Sequence, residues 1–436
     1  MCCVALSVSA EYSLKDFSLN HSDGIYKVSE KVVCSGVLML DGKPVDTGSL
    51  RCIVKWEGTV VDTKVLPLDG KPFQVEYQGD KPGWLYYGFE VVDAEGNTVP
   101  QPLARQPQHK KTLVGEIGAY FDPQDMKTTI PCPEDFDEFW AKQKALVAEM
   151  DFAGVTCQRL EDPAEGVELY AIQVPIPGEG RPATAYLAKP AGAVDGTLPI
   201  YIEFLSWMNC DANKSFAVNG AKNGLLTFAA TWHGFPVAQL AESYNANSKE
   251  FQAGSGISSR DTWTFKNMFL RVLRLLAYAK SRPEWNRQEF VVQGGSLGGI
   301  QTTFAAAMEP AVTFAAITVP AFCELDPELR HAKNASVMSR VLAHPTPEMC
   351  ETVHYYDTVN FMARVKCPVC VATGFVDETC PPTSVICAYN NLPADTPKEL
   401  TLNCRTGHFG TTANTAANKR IREIFHNKKL RRDSEL

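Results

Sequence analysis

Phe290-Val-Val-Gln-Gly-Gly-Ser-Leu-Gly-Gly299 decides how the rest of this chain is read. A short apolar run leads into Gly294-x-Ser296-x-Gly298, and a helix-forming stretch follows, Ile300 to Met308. A strand, a sharp turn with serine at its apex and then a helix form the arrangement known as a nucleophile elbow. Its physics is specific. The turn holds the serine in a strained backbone conformation, and Gly294 and Gly298 remove side chains that would collide across it. The helix N-terminus then lies under the serine with unpaired N–H groups and the positive end of its dipole. An oxyanion forming there meets the backbone N–H of Leu297 as its first donor. A bare G-x-S-x-G is a weak signal, and without its flanks it reads as a glycine-rich turn. Strand before and helix after make it a strong one.

Serine alone is a poor nucleophile and needs a positioned base. With this elbow the chain order is serine, acid, histidine. After position 360 the chain has His408 and His426. His426 belongs to a charged C-terminal helix and reads as a solvated residue. His408 stands in Asn403-Cys-Arg-Thr-Gly-His-Phe-Gly410, a glycine-bracketed loop from which an imidazole can reach back over a sheet. The acid belongs at the end of the preceding strand. Val371-Ala-Thr-Gly-Phe-Val-Asp-Glu-Thr-Cys-Pro-Pro382 offers Asp377, with Glu378 as fallback. Asp377 could also cap the helix beginning near Pro381, and the two roles are compatible.

Outward from the elbow, strand and helix patterns alternate. Strands are expected at 167–174, 183–188, 198–205, 224–230, 289–293, 314–319, 367–373 and 399–403. Helices are expected at 262–280, 298–308, 381–391 and 411–428, with another starting near Cys132. This alternation argues an α/β fold with a mainly parallel sheet. The first hundred residues differ. Runs such as Lys31–Leu40, Leu50–Trp56 and Gly83–Val92 are separated by Asp41-Gly42, Asp69-Gly70 and Pro82-Gly83. Short strands with such turns suggest an immunoglobulin-like β-sandwich. Trp84 and Tyr86 could stack on sugar rings from an exposed face, although such aromatics are more often core or interface. The expected organisation is a signal-peptide remnant at 1–10, a sandwich at 11–105, a linker at 106–130 and a catalytic domain at 131–436.

The chain has 436 residues and a net charge of −8. A mildly acidic surface has no field to attract phosphate backbones, so nucleic acid is not an expected partner. No apolar run approaches the ~20 residues needed to span a bilayer, so no membrane partner is expected either. Fourteen cysteines are scattered through the chain, and the one Cys-x-x-Cys pair, Cys367 and Cys370, sits in a strand pattern. It reads as buried packing rather than a metal or redox site. Met1-Cys-Cys-Val-Ala-Leu-Ser-Val-Ser-Ala10 is apolar with small residues at its end. It lacks a basic start but looks like the back half of a signal peptide, so a secreted or periplasmic location is expected. The alternative is a ragged N-terminal strand on a cytoplasmic protein.

At these residues the chain resembles the acetyl xylan esterase and cephalosporin C deacetylase family, carbohydrate esterase family seven. The elbow is similar to that family's Gly-Gly-Ser-Gln-Gly-Gly, with Leu297 replacing the glutamine. Asp377 to Asn390 is similar to the family's segment around its catalytic aspartate. Tyr355-Tyr-Asp-Thr-Val-Asn360, Pro133-Glu-Asp-Phe-Asp-Glu-Phe-Trp140 and Asp261-Thr-Trp263 also match. The resemblance covers about 130 to 425. It implies an α/β-hydrolase fold, a triad of Ser296, Asp377 and His408, and acetyl esters of xylan or its fragments as substrates. It also implies a homo-oligomer, which the added N-terminal domain could block.

Two departures stand out. Thr231-Trp-His-Gly-Phe-Pro236 replaces the family's Arg-Gly-Gln-Gly, and Leu205-Ser-Trp207 replaces its His-Gly-Tyr. The second oxyanion donor then falls to a backbone N–H at Ser206 or Trp207. Trp207 and His233 become candidate substrate contacts. No metal or organic cofactor is needed. Two other readings stay open: a carboxylesterase or peptidase with another acyl preference, and a glycan-binding protein with a decayed hydrolase domain.

Overall fold

The computed structural model describes residues 11–103, 106–161, 164–207, 210–248, 252–409 and 415–434. The signal-like residues 1–10, and the start of the helix expected at 411, lie outside them. The N-terminal strands are β1 (Tyr12–Leu19), β2 (Ile25–Tyr26), β3 (Lys31–Leu40), β4 (Lys43–Pro44), β5 (Ser49–Trp56), β6 (Thr59–Pro67), β7 (Phe73–Gln78), β8 (Gly83–Val92), β9 (Gln101–Leu103), β10 (Gln106–Lys111) and β11 (Leu113–Phe121). They form a sheet of β1, β3, β4 and β7 and a sheet ordered β2-β11-β8-β5-β6, with β9 and β10 as a separate ribbon. β3 and β5 alternate between buried and part-exposed positions. Their inward residues, Val32, Cys34 and Leu38 from one sheet and Leu50, Cys52 and Val54 from the other, share one core. That is the period-two pattern of a sandwich.

β8 breaks the alternation, because all ten of its residues are buried. A strand covered on both faces reads as a continuous apolar run. One face belongs to the sandwich core and the other is pressed against the catalytic unit. Trp84 and Tyr86 are therefore not exposed sugar-stacking rings but interior residues, 0% and 1% accessible.

Residues 106–130 are not the linker that their composition suggested. β11 is an inner strand, antiparallel to β8 and parallel to β2. Its glycines weaken the strand signal in the sequence, but contacts demand them. A Cβ on Gly118 would lie 2.3 Å from the Phe375 carbonyl oxygen of the catalytic unit.

The catalytic unit follows with α1 (Phe136–Ala148), β12 (Thr156–Arg159), β13 (Val167–Val174), β14 (Ala183–Pro190), β15 (Leu198–Phe204), α2 (Lys214–Lys222), β16 (Leu226–Ala230), α3 (Ala241–Ser248), α4 (Lys266–Ser281), β17 (Trp285–Gly295), α5 (Leu297–Met308) and β18 (Phe314–Thr318). It closes with α6 (Pro347–His354), α7 (Thr358–Met362), β19 (Val369–Gly374), α8 (Pro382–Asn390), β20 (Lys398–Asn403) and α9 (Thr415–Ser434). Nine strands make one sheet, ordered β12-β13-β14-β16-β15-β17-β18-β19-β20. The first three joins are antiparallel, and those from β16 to β20 are parallel. Residues of α1, α4, α5 and α7 share the largest core with one face of the sheet. Residues of α2 and α9 cover the other face, with Ala217 beside Tyr186 and Phe425 beside Tyr201. Both faces are thus apolar, as a parallel sheet requires. The architecture is an α/β-hydrolase fold preceded by a β-sandwich. Among the described residues, no helix is long and apolar enough to cross a membrane.

The two units meet across the C-terminal ends of β19 and β20. Trp84 Nε1 donates to Phe375 O at 2.6 Å, and Gly118 N donates to Cys404 O at 2.7 Å. Tyr120 Oη donates to Thr383 Oγ1 at 3.0 Å, and Lys55 Nζ pairs with Glu378 Oε1 at 2.6 Å. The sandwich is therefore seated on the loops that leave β19 and β20.

Candidate active site

Ser296 directly follows β17 and stands at the N-cap position of α5, with φ 54° and ψ −120°. A non-glycine residue there stores about 1–3 kcal/mol of strain, which the surroundings must overcome. Two hydrogen bonds do so: Ser296 N donates to Thr318 O at 3.0 Å, and Ala321 N donates to Ser296 O at 2.9 Å. The flanking glycines are steric requirements. A Cβ on Gly294 would come within 2.4 Å of Gly298 O, and one on Gly298 within 2.1 Å of Phe204 O.

His408, on the loop after β20, connects the other two residues. Its Nε2 lies 3.0 Å from Ser296 Oγ, and its Nδ1 lies 2.9 Å from Asp377 Oδ2. With Nδ1 protonated, it donates to the carboxylate and leaves Nε2 to accept the serine hydroxyl proton. Asp377 is wholly buried. Its other oxygen accepts from Thr379 N at 2.8 Å and Cys380 N at 2.9 Å. Those two amide donors stabilise a buried carboxylate and fix its plane. Sequence reading named the aspartate but not these amides, because nothing in a residue's type reports the direction of its N–H. Glu378, the fallback acid, points away to Lys55. His426 lies in α9.

The end of β15 crosses the start of α5. Gln301 Nε2 donates both to Leu205 O at 3.1 Å and to Leu297 O at 3.0 Å, tying the two together. Ser206 and Trp207 follow at once, so their backbone borders the first turn of α5. The Leu297 N–H is among the first-turn donors that have no intrahelical acceptor. Trp207 is half-buried and stacks on Trp232 at 5.4 Å, with Phe265 beside it at 5.6 Å. It forms one edge of an aromatic wall.

His233 stands differently. Its Nε2 is 3.1 Å from Cys210 O, and its Nδ1 accepts from Phe235 N at 3.0 Å. Both ring nitrogens are thus held by backbone, and the ring is 3% accessible. Burial pushes its pKa down to about 4, so the ring is neutral and supports the Thr231–Pro236 turn. The Cys367/Cys370 pair is packing: Cys367 lies against the large core and Cys370 belongs to the core on the other face of the sheet, so the two side chains serve different layers.

A family model described as acetyl xylan esterase (AXE1) matches residues 123–422. The chain belongs to this family. It is accordingly an esterase, a hydrolase of carboxylic esters. A curated relative, the acetyl esterase Axe7A of Xylanibacter ruminicola, is 27% identical over 303 residues, 67% of each chain. Among solved structures, the acetyl xylan esterase from Paenibacillus sp. R4 aligns at 23% identity with a TM-score of 0.59, over 69% of this chain and 98% of that one. The acetyl xylan esterase 1 from Thermoanaerobacterium sp. JW/SL YS485 aligns at 21% identity with a TM-score of 0.56, over 68% and 96%. Both share the fold of the catalytic unit. Their near-complete coverage leaves the β-sandwich of this chain as an addition to what they contain.

Proposed function

We propose that this protein removes acetyl groups from xylan, xylo-oligosaccharides or related acetylated sugars through an acyl-enzyme on Ser296. The observation that supports it most is the single imidazole within hydrogen-bond reach of both a strained serine and a buried aspartate. Ser296 Oγ attacks the ester carbonyl as His408 Nε2 takes its proton. Asp377 keeps the Nδ1 proton in place and stabilises the imidazolium. The oxyanion is held by Leu297 N–H and a backbone N–H at Ser206 or Trp207, each donor worth about 3–4 kcal/mol in such a site. The tetrahedral intermediate collapses, the sugar oxygen leaves with the proton from His408, and the acetyl group stays on Ser296. Water activated by His408 then releases acetate. The Trp207 wall gives the sugar ring an apolar face to lie against. A polymeric substrate suits an exported enzyme, in line with the signal-like first ten residues.

The test is a panel of activated esters of increasing acyl length beside acetylated xylan. Turnover should be highest for acetyl and fall by about tenfold or more by hexanoyl, with acetate released from the polymer. Preference for the longer chains would replace this reading with a general carboxylesterase.

A further inference from the structure

Away from the triad, one group of side chains brings three donor atoms of different chemistry together. Glu324 Oε1 lies 2.9 Å from His331 Nδ1, and Cys387 Sγ lies 3.8 Å from the same nitrogen. All three ligand atoms fall within 4.8 Å of one another. Glu324 and His331 come from the irregular stretch after β18, and Cys387 from the middle of α8. Glu324 and Cys387 are fully buried, while the imidazole keeps 26% of its surface open and so provides a way in.

A second observation comes from the sandwich. Glu57 Oε1 accepts from Trp84 N at 2.7 Å and from Thr383 Oγ1 at 2.9 Å. Its Oε2 is buried with no hydrogen-bond partner. A buried carboxylate oxygen without a donor is a recurring sign of a missing ion or water. The Glu57 partner Thr383 directly precedes Ser384, which donates to Glu324 Oε2 at 3.1 Å, so Glu57 and the three-residue group are anchored to the same turn of α8. The neighbouring buried cation, Arg330, donates to Lys333 O and Ser339 Oγ and leaves Glu324 to His331 and Ser384.

We propose that Glu324, His331 and Cys387 form a binding site for a zinc-type divalent cation at the junction of the two units, with a water completing the set. A mixed nitrogen, oxygen and sulfur set suits zinc rather than magnesium or calcium. Tetrahedral bonds of about 2.0–2.3 Å hold ligand atoms ~3.3–3.8 Å apart. The sulfur–nitrogen distance fits as it stands. The oxygen–nitrogen distance is shorter because a proton now joins those atoms, and it opens when the metal replaces that proton. Ser384 Oγ donates to Glu324 Oε2 at 3.1 Å, which aims the other oxygen at the site, as outer-shell partners do. On loading, the Cys387 thiol proton leaves to solvent and the imidazole proton moves from Nδ1 to the open Nε2. No redox change is involved. The ion would tie α8 to the 324–331 segment, just after the loop that carries Asp377, and it touches no reacting atom.

The test uses the full-length protein, treated with chelator and titrated with Co²⁺ and then Zn²⁺. One equivalent of Co²⁺ should give a thiolate-to-cobalt band and the intense visible bands of a tetrahedral site, and Zn²⁺ should displace them. The bands should disappear in Cys387→Ser and in His331→Gln, the second variant keeping the buried thiol in place should the first fail to fold. Ser384→Ala should weaken Co²⁺ binding about tenfold. Absence of a thiolate band in the wild-type protein overturns the proposal. So do bands that survive both ligand variants, which would move the ion to cysteines elsewhere, Cys2 and Cys3 included.

Discussion

The nucleophile turn and the acid–histidine loops solve the same positioning problem in opposite ways. The turn is built from its own neighbourhood: a strand, two glycines and a helix within ten residues set where Ser296 points. The loops after β19 and β20 are set from a distance. Phe375 is held by Trp84, Glu378 by Lys55, Thr383 by Tyr120, and Cys404 by Gly118. Each of these contacts comes from the sandwich. The difference teaches that the added domain belongs to the scaffold of the Ser296–His408–Asp377 arrangement. Ser296 is aimed by local geometry, but the loops that carry His408 and Asp377 rest on a second folded unit.

This comparison can be broken or sharpened by substitution. Ser296→Ala should lower kcat on an activated acetyl ester by about 10⁵-fold with Tm unchanged, and residual turnover near wild-type would dismiss the turn as catalytic. Gly118→Val comes next. Its new Cβ would meet Phe375 O at 2.3 Å, so the Asp377 loop must shift, and a misplacement of about 1 Å costs up to about 100-fold. Small-ester and polymer turnover should fall together. Loss confined to polymer would mean that the sandwich binds glycan instead of supporting the loops. Trp84→Phe keeps an aromatic side chain but removes the bond to Phe375 O and leaves a cavity where the rest of the indole was, which should cost about 2–3 kcal/mol of stability and a few-fold in kcat.

The smallest effect belongs to a site remote from both regions. Burial raises the Glu284 carboxyl, but Arg282 and Lys189 outweigh it and hold its pKa at about 2, against 4.5 ordinarily. A depressed pKa stabilises the fold above pH 4.5 and loses that contribution as pH falls towards 2. Glu284→Gln should therefore lower Tm by about 2 °C at pH 7, a difference that narrows below pH 4.5, with kcat untouched. Thermal melts across pH check it. A kcat change there would blur the local-versus-remote distinction.

The same split governs what could be read from the sequence. That Ser296, Asp377 and His408 would converge was legible, because strand-end positions, glycines and chain order follow local rules. The expected catalytic-unit strands and helices match observed elements to within a few residues, because their periodicity is local too. β11 was not legible: Gly115 and Gly118 look like breakers until Leu14 and Phe375 are seen packed where a Cβ would be. For Trp84 and Tyr86 the sequence favoured core or interface over sugar stacking, and both are interior; what it could not tell was which partner covers them, because a strand buried on both faces has the same composition as a sticky one. Nor did spacing hint at Glu324, His331 and Cys387, whose meeting depends on how α8 settles against the segment after β18.

The wholly buried β8 has a consequence for biosynthesis. The sandwich leaves the ribosome first, yet Trp84 and Tyr120 find their partners only when Phe375, Thr383 and Cys404 have been made. At the usual pace of chain elongation, that is a wait on the order of tens of seconds. During it, an aromatic sheet face lies uncovered beside unfinished chain. Chaperone shielding, or secretion of the chain before it folds, would guard that face, so demand for such help should track the β8 surface and not the catalytic core.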